Sequence, residues 1–190
     1  MRDLLWYPQQ AWEKIKAEKD IKLLIAYPLA LAVLPALAVY IGYGLIGLRL
    51  GPVGYYRMSF ANAFYSALVY YMLSILGVVA MGFLVMVLTN YFTVESDIVS
   101  AMKLSAYSAT APLLAGIFQV IPGIRILMVL GLYGAYIMYL GVPKLIKTTR
   151  EKEAPFSFSL IIAAVILMLL INFLVSEYIF GIVFSEVQTL

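Results

Sequence analysis

From Met58 to Val94 the chain runs for 37 residues without one charged side chain. About 20 mostly apolar residues cross the roughly 30 Å hydrocarbon core of a bilayer as a helix. This run therefore constrains the fold more than any other feature. As a single helix it would extend about 55 Å at ~1.5 Å per residue, too long for one span and too short for two with a turn. It reads as one tilted helix over 61–89 with polar flanks. Four further uncharged runs occur: Leu23–Leu48, Leu104–Ile124, Ile126–Pro143 and Ala154–Ser176. The expected spans are thus five, over 23–48, 61–89, 104–121, 124–143 and 157–182. Composition agrees, with 64% apolar and 12% charged residues, where soluble domains carry about 25% charged residues. A soluble globular enzyme, a disordered chain and a nucleic-acid-binding domain are excluded. The fold class is all-α, an integral membrane bundle of five transmembrane helices in the cell membrane.

Two absences bound the chemistry. The chain has no Cys and no His. Thiolate nucleophiles, zinc–thiolate sites and iron–sulfur clusters are excluded, and the commonest general base and metal ligand is missing. None of the nucleotide-binding, zinc-protease or nucleophile-elbow motifs occurs. No cofactor and no catalytic residue is expected, so the chain reads as a non-enzyme.

Basic residues orient the spans. Residues 1–22 hold Arg2, Lys14, Lys16, Lys19 and Lys22; the loops then hold Arg49 and Arg57, Lys103, Arg125, and finally Lys144, Lys147, Arg150 and Lys152. With five spans, ten of the thirteen fall on one side. The excess of basic residues marks the cytoplasmic side, which places the N-terminus in the cytoplasm and the C-terminus outside. Ala36-Leu37-Ala38 is similar to a signal-cleavage site. The 22 charged, Trp-bearing residues before it are long for the leading region of such a peptide, so the first span is expected to stay.

The chain divides into a cytoplasmic interfacial helix in 1–22 and a transmembrane domain over 23–190. Within the first, residues 8–22 read as an amphipathic helix on the inner surface. Pro8 suits its first turn, Ala11, Trp12, Ile15 and Lys19 recur at helical spacing, and Trp6, Tyr7 and Trp12 favour headgroup level. It reads as a membrane anchor or, alternatively, as a partner-binding surface. Pro28 and Pro35 are expected to bend the first span.

The third span is dense in small residues, which lets helices approach closely in lipid, so it is expected at the bundle centre. Ser105, Ser108, Pro112, Gly116 and Gln119 fall on one side of its wheel. The second span carries a matching stripe of Asn62, Ser66, Tyr70 and Ser74. Polar groups in a bilayer avoid lipid, so these stripes serve either as glue between helices or as a polar path. Pro112 frees the carbonyl near Ser108, for a hydroxyl or a water to satisfy. Glu177 is the one acid inside an apolar run, a candidate proton or cation site, although its depth near the outer interface favours a structural role. Glu95 and Asp97 read as solvated loop acids, and Gly47-x-x-x-Gly51 as a loop.

Specific motifs lie on the third and fourth spans. Lys103-Leu104-Ser105-Ala106-Tyr107-Ser108-Ala109-Thr110-Ala111-Pro112 resembles the opening of the Yip-domain family's paired spans, K-L-x-A-Y-S-x-x-P. Ile121-Pro122-Gly123 leaves two or three residues to turn the chain, where Pro122 fixes φ and Gly123 permits a positive φ, and Ile121-Pro122 resembles that family's hairpin. Leu132-Tyr133-Gly134-Ala135-Tyr136-Ile137-Met138-Tyr139-Leu140-Gly141-Val142-Pro143-Lys144 is similar to its closing LYxxYxxYLGxPKL. Pro8, Ala11-Trp12 and Ile15 resemble its start. Tyr107, Pro112, Pro122, Tyr133, Tyr136, Gly141 and Pro143 carry this signature as structural residues. Ala111 is a departure, since prokaryotic members often run straight from Thr to Pro.

The resemblance implies five spans with the same orientation. Eukaryotic relatives bind lipid-modified Rab GTPases and family partners in vesicle traffic, through a longer N-terminal region. The 22 residues here resemble the short prokaryotic form, for which the resemblance implies no established activity. The expected function is a membrane scaffold or adaptor, its partners the lipid bilayer and a second copy or another membrane protein, with no nucleic acid. The alternative is a small transporter or channel for an ion, solute or lipid. A water-sized polar cavity between the second, third and fifth spans would favour that alternative.

Overall fold

The computed structural model describes residues 2–49 and 55–188; the side chains of 2, 3, 48, 49, 55, 122–125 and 186–188 lie outside the description. Gly51 and the side chain of Pro122 therefore fall outside it too. The fold is all-α. The elements are α1 (Arg2–Trp6), α2 (Pro8–Ala17), α3 (Ile21–Ile41), α4 (Phe60–Phe92), α5 (Ile98–Ser108), α6 (Thr110–Ala115), α7 (Tyr133–Leu145) and α8 (Arg150–Gln188). Beyond α3 a π-helical turn covers Gly42–Ile46, and two-residue strands β1 (Leu48–Arg49) and β2 (Tyr55–Tyr56) pair antiparallel.

Four helical stretches among the described residues are long and apolar enough to cross a membrane: Ile21–Ile46, Phe60–Phe92, Ile126–Leu145 and Arg150–Ser185. The expected third span, 104–121, is instead an interrupted segment. It starts earlier, at Ile98, where the Asp97 carboxylate accepts from the Ser100 N–H at 3.1 Å. Asp97 is thus an N-cap. The Ser100 side chain, and then its backbone N–H, hold the Asp97 carboxyl below the usual carboxylate range. The segment breaks at Ala109 and winds as a 3-10 helix over Gly116–Val120. Pro112 explains the first break, because it offers no N–H to the carbonyl four residues back. The return arm differs as well. It is a 3-10 helix over Pro122–Leu132 before α7 begins, where an α-helix over 124–143 was expected.

Capping sets the outer limits of the long helices. Ser59 accepts from the Asn62 N–H at 3.3 Å and starts α4. Thr93, with φ of +52°, ends it, and the Val94 N–H returns to the Thr89 carbonyl at 3.0 Å, a left-handed C-terminal cap. The observed 33 and 39 residues of α4 and α8 extend about 50 and 58 Å. Both exceed the bilayer core, and both outrun the expected 61–89 and 157–182.

Helices α3, α4 and α8 pack in sequence, and α5 sits among α3, α4 and α7. Lys103–Ser108 of α5 are all buried, which fits the expected central position. One apolar core gathers Trp12, Val85, Leu104, Ile137, Val142 and Phe156 at one end of the bundle. A second gathers Val39, Tyr43, Tyr70, Val175 and Ile179 at the other.

Candidate functional site

The first candidate is the docked N-terminal segment. Helix α2 begins with Pro8 in its first turn, as expected, but ends at Ala17 rather than at residue 22. Trp6 and Tyr7 are exposed, whereas Trp12 is 0% exposed. Its indole is enclosed by protein rather than facing the headgroups. The Trp12 Nε1–H donates to the Ile137 carbonyl at 3.0 Å, and its ring meets Tyr107 edge-on at 6.4 Å. Gly141 makes the seat: a Cβ there would lie 2.6 Å from Trp12 Cε2 and 2.7 Å from Leu104 Cδ1.

Lys103 locks the other end of α2. It is 7% exposed. Its Nζ donates to the Ile15 carbonyl at 2.8 Å, the Lys16 carbonyl at 3.5 Å and the Glu18 carbonyl. The last carbonyls of a helix lack partners within it and carry partial negative charge. A buried ammonium answers both needs. On the outside, Lys144 Nζ donates to Glu13 Oε1 at 2.5 Å. This hydrogen bond, and the lysine charge behind it, hold the Glu13 carboxyl below its ordinary range. The Tyr133 hydroxyl donates to the Leu5 carbonyl at 2.9 Å. Leu5 meets the start of α7 and Glu13 meets its end, so α1 and α2 run parallel to that helix.

The polar stripes are brought partly together. Ser66, Ser74, Ser105, Ser108 and Gln119 are buried, and Asn62 is half-buried. Ser105 Oγ donates across to the Val78 carbonyl of α4 at 2.5 Å. The Tyr70 hydroxyl is hydrogen-bonded to the Gln119 side chain. Ser74 Oγ turns to its own helix, donating to the Tyr70 carbonyl at 2.8 Å. Ser108 Oγ has no hydrogen-bond partner among the described residues. Glu177 is exposed on α8 and does not join this group. Glu95 pairs with Lys147 at 3.3 Å, both well exposed.

A cavity of about 130 Å³ lies between α4, α5, the 3-10 arm, α7 and α8. Tyr70, Ser74, Ser105, Ser108 and Asn172 line it, but most of its wall is apolar. Of the signature residues, Tyr107 packs against Tyr27 with ring centroids 4.8 Å apart, and Tyr133 against Tyr136 at 5.5 Å. Pro112 and Gly134 meet at the break: a Cβ on Gly134 would lie 2.7 Å from both Pro112 Cδ and the Ser108 carbonyl oxygen. Pro143 is exposed. Among the described residues no group of three His, Cys, Asp or Glu is placed to hold a metal ion.

Sequence reasoning missed Lys103 and Gly134. Lys103 was counted only as a loop charge, although its place at the head of the Tyr107 motif was a signal. A lysine beginning a buried small-residue run needs a partner of opposite polarity.

Long apolar helices with buried polar stripes and a charged end define a multi-pass membrane protein. The chain belongs to the Yip1 domain family, whose model matches residues 2–173. It is 25% identical over 144 residues to "Inner membrane protein YohC" of Escherichia coli (strain K12), covering 74% of each chain. The protein of the same name in Escherichia coli O6:H1 gives the same figures. No solved structure matches. The match begins at residue 2, so the docked helices α1 and α2 belong to the family domain. Location in the cell membrane follows from the inner-membrane relative and the apolar helices together.

Proposed function

We propose that the chain is a non-enzymatic membrane scaffold or adaptor, whose working surface is the charged end of the bundle. The observation that carries this reading is the lock on α2. Buried Trp12 and Lys103 fix a short N-terminal helix beside the junction of α7 and α8, where Lys144, Lys147, Arg150 and Lys152 gather. Each basic residue near an anionic leaflet adds about 1 kcal/mol of attraction, which salt screens. A partner or an anionic lipid surface would meet a preformed basic face there. The mostly apolar wall of the cavity and the place of Glu177 on an exposed face of α8 favour this reading over a path for an ion or a hydrophilic solute.

The same reading holds five spans, with this end in the cytoplasm. The interrupted segment supports the fifth: 11 α-helical, six α-helical and five 3-10 residues extend about 35 Å, enough to cross the core. Cysteines introduced at Lys16 and Lys147 are expected to be shielded from an impermeant thiol reagent in intact cells, while one at Gln188 reacts. No native Cys competes, and the reverse labelling pattern overturns the orientation.

The adaptor role has its own test. Trp12→Ala combined with Lys147→Glu and Arg150→Glu is expected to abolish recovery of the membrane partner, and Glu177→Gln to leave it bound. Solute flux by the purified protein in vesicles, lost in Glu177→Gln, would instead establish transport.

A further inference from the structure

The cavity contains one polar group that the fold leaves unanswered. Ser74, Ser105 and Asn172 each donate to a backbone carbonyl, of Tyr70, Val78 and Met168 respectively. Ser108 Oγ, on a residue 2% exposed, has no partner among the described residues. A buried hydroxyl without a hydrogen bond is costly, so its retention in a tight bundle calls for an occupant that supplies one. The carbonyl of the same residue also lacks its helical donor, because Pro112 has no N–H. That carbonyl faces Gly134, so the hydroxyl, donor and acceptor in one, is the group left for an occupant.

The rest of the wall defines the occupant's body. No described residue lining the cavity is charged, and four of the nine methionines, Met81, Met128, Met138 and Met168, face it. Thioether side chains adapt to apolar guests of varied shape. The volume of about 130 Å³ is close to that of an apolar protein cavity that takes up benzene, roughly 150 Å³. It suits one short stretch of chain rather than a whole lipid. Helix α8 packs chiefly on α4 and α7, and the 3-10 arm on α6 and the 3-10 turn. The arm and α8 both line the cavity, with the Met168 side chain reaching toward Gly131. The remainder of a long chain would leave between them into lipid.

Depth selects the polar end. Ser108 is ten residues beyond Ile98, about 15 Å along a segment that extends about 35 Å in all. A charged or zwitterionic headgroup has no answering group at that depth. The geometry points to a binding site for a neutral long-chain alcohol, its hydroxyl paired with Ser108 and its chain running out past Met168 into the bilayer. The site is independent of the adaptor reading.

The test uses the full chain in nanodiscs of dioleoylphosphatidylcholine. Two photoreactive probes are compared, 1-hexadecanol and hexadecane carrying the same diazirine, with labelled peptides mapped by mass spectrometry. The alcohol should label residues 128–138 and 164–172 roughly fivefold more than the hydrocarbon, the discrimination expected of one hydrogen bond. Ser108→Ala, which removes only an oxygen atom, should reduce the alcohol to the hydrocarbon's level without lowering the melting temperature. Ala164→Phe, which fills the cavity, should lower alcohol labelling of those peptides to the hydrocarbon's level, the exposed Leu130, Ile166 and Leu169 accounting for what remains. Equal labelling by the two probes in the native protein, or an alcohol preference that survives Ser108→Ala, overturns the proposal.

Discussion

Trp12→Ala is expected to destabilise the folded chain by about 3–5 kcal/mol, the range for deleting a large buried aromatic side chain. The indole is fully enclosed, and Gly141 and Leu104 are shaped around it. Its loss leaves a void that Gly141 cannot fill, since glycine has no side chain to move in. Trp12→Phe should cost much less, because it keeps most of the packing and gives up the Nε1–H bond to Ile137, typically about 1 kcal/mol. Thermal unfolding in detergent gives the order of the two variants. Amide exchange over Pro8–Ala17 locates the effect, and should rise in the alanine variant before exchange in α4 changes. An alanine variant that melts like the native protein, with α2 still protected, would mean that docking rests on Lys103 and Glu13 alone.

The second large effect is expected at the seam between α3 and the 3-10 turn. Gly116 lies against Pro35, with 3.3 Å between its missing Cβ and Pro35 Cγ and 3.5 Å to Pro35 Cα. A little further along, Gly42 meets the Val120 carbonyl, at 3.0 Å from where its Cβ would stand. A proline ring and a backbone carbonyl are poor at moving aside. Gly116→Leu should therefore push the turn off α3, costing about 1–3 kcal/mol or more and lowering the melting temperature accordingly. Gly181→Leu is the matched control, since nothing lies within 4 Å of a Cβ there. If both variants melt alike, the Gly116 face does not pack against α3.

Much of the architecture was legible because uncharged length is a physical requirement of the bilayer. The runs beginning at Leu23, Met58 and Ala154 all became long helices. Their ends were less legible: α8 begins at Arg150 and α4 runs to Phe92, since a helix continues past the apolar zone until a cap stops it. The winding of the return arm was not legible at all. An apolar run such as Ile126–Leu132 states depth and says nothing of whether the backbone turns every 3.0 or 3.6 residues.

The candidate site was legible in its residues but not in its contacts. Ser105, Ser108 and Gln119 were picked out by their shared face, yet Ser105 meets the Val78 carbonyl rather than the serines of the opposite stripe. Trp12 looked like a headgroup residue because aromatic and charged neighbours flank it. Its seat at Ile137 and Gly141 lies too far along the chain for local pattern to reveal. A void is harder still, since it is set by the joint packing of several elements and no single segment encodes it. Glu177 was conspicuous for its chemistry alone, and the fold turns it outward.

The docking of α2 also bears on how the chain is made. Trp12 and Ile137 are 125 residues apart, and synthesis proceeds at about 5–20 residues per second, so roughly 6–25 s separate the two. For that interval α1 and α2 have no complete seat, because Ile137 and Gly141 do not yet exist. A segment made before α7 therefore settles only after it, and its arrival on α7 marks a bundle whose later helices are already in place.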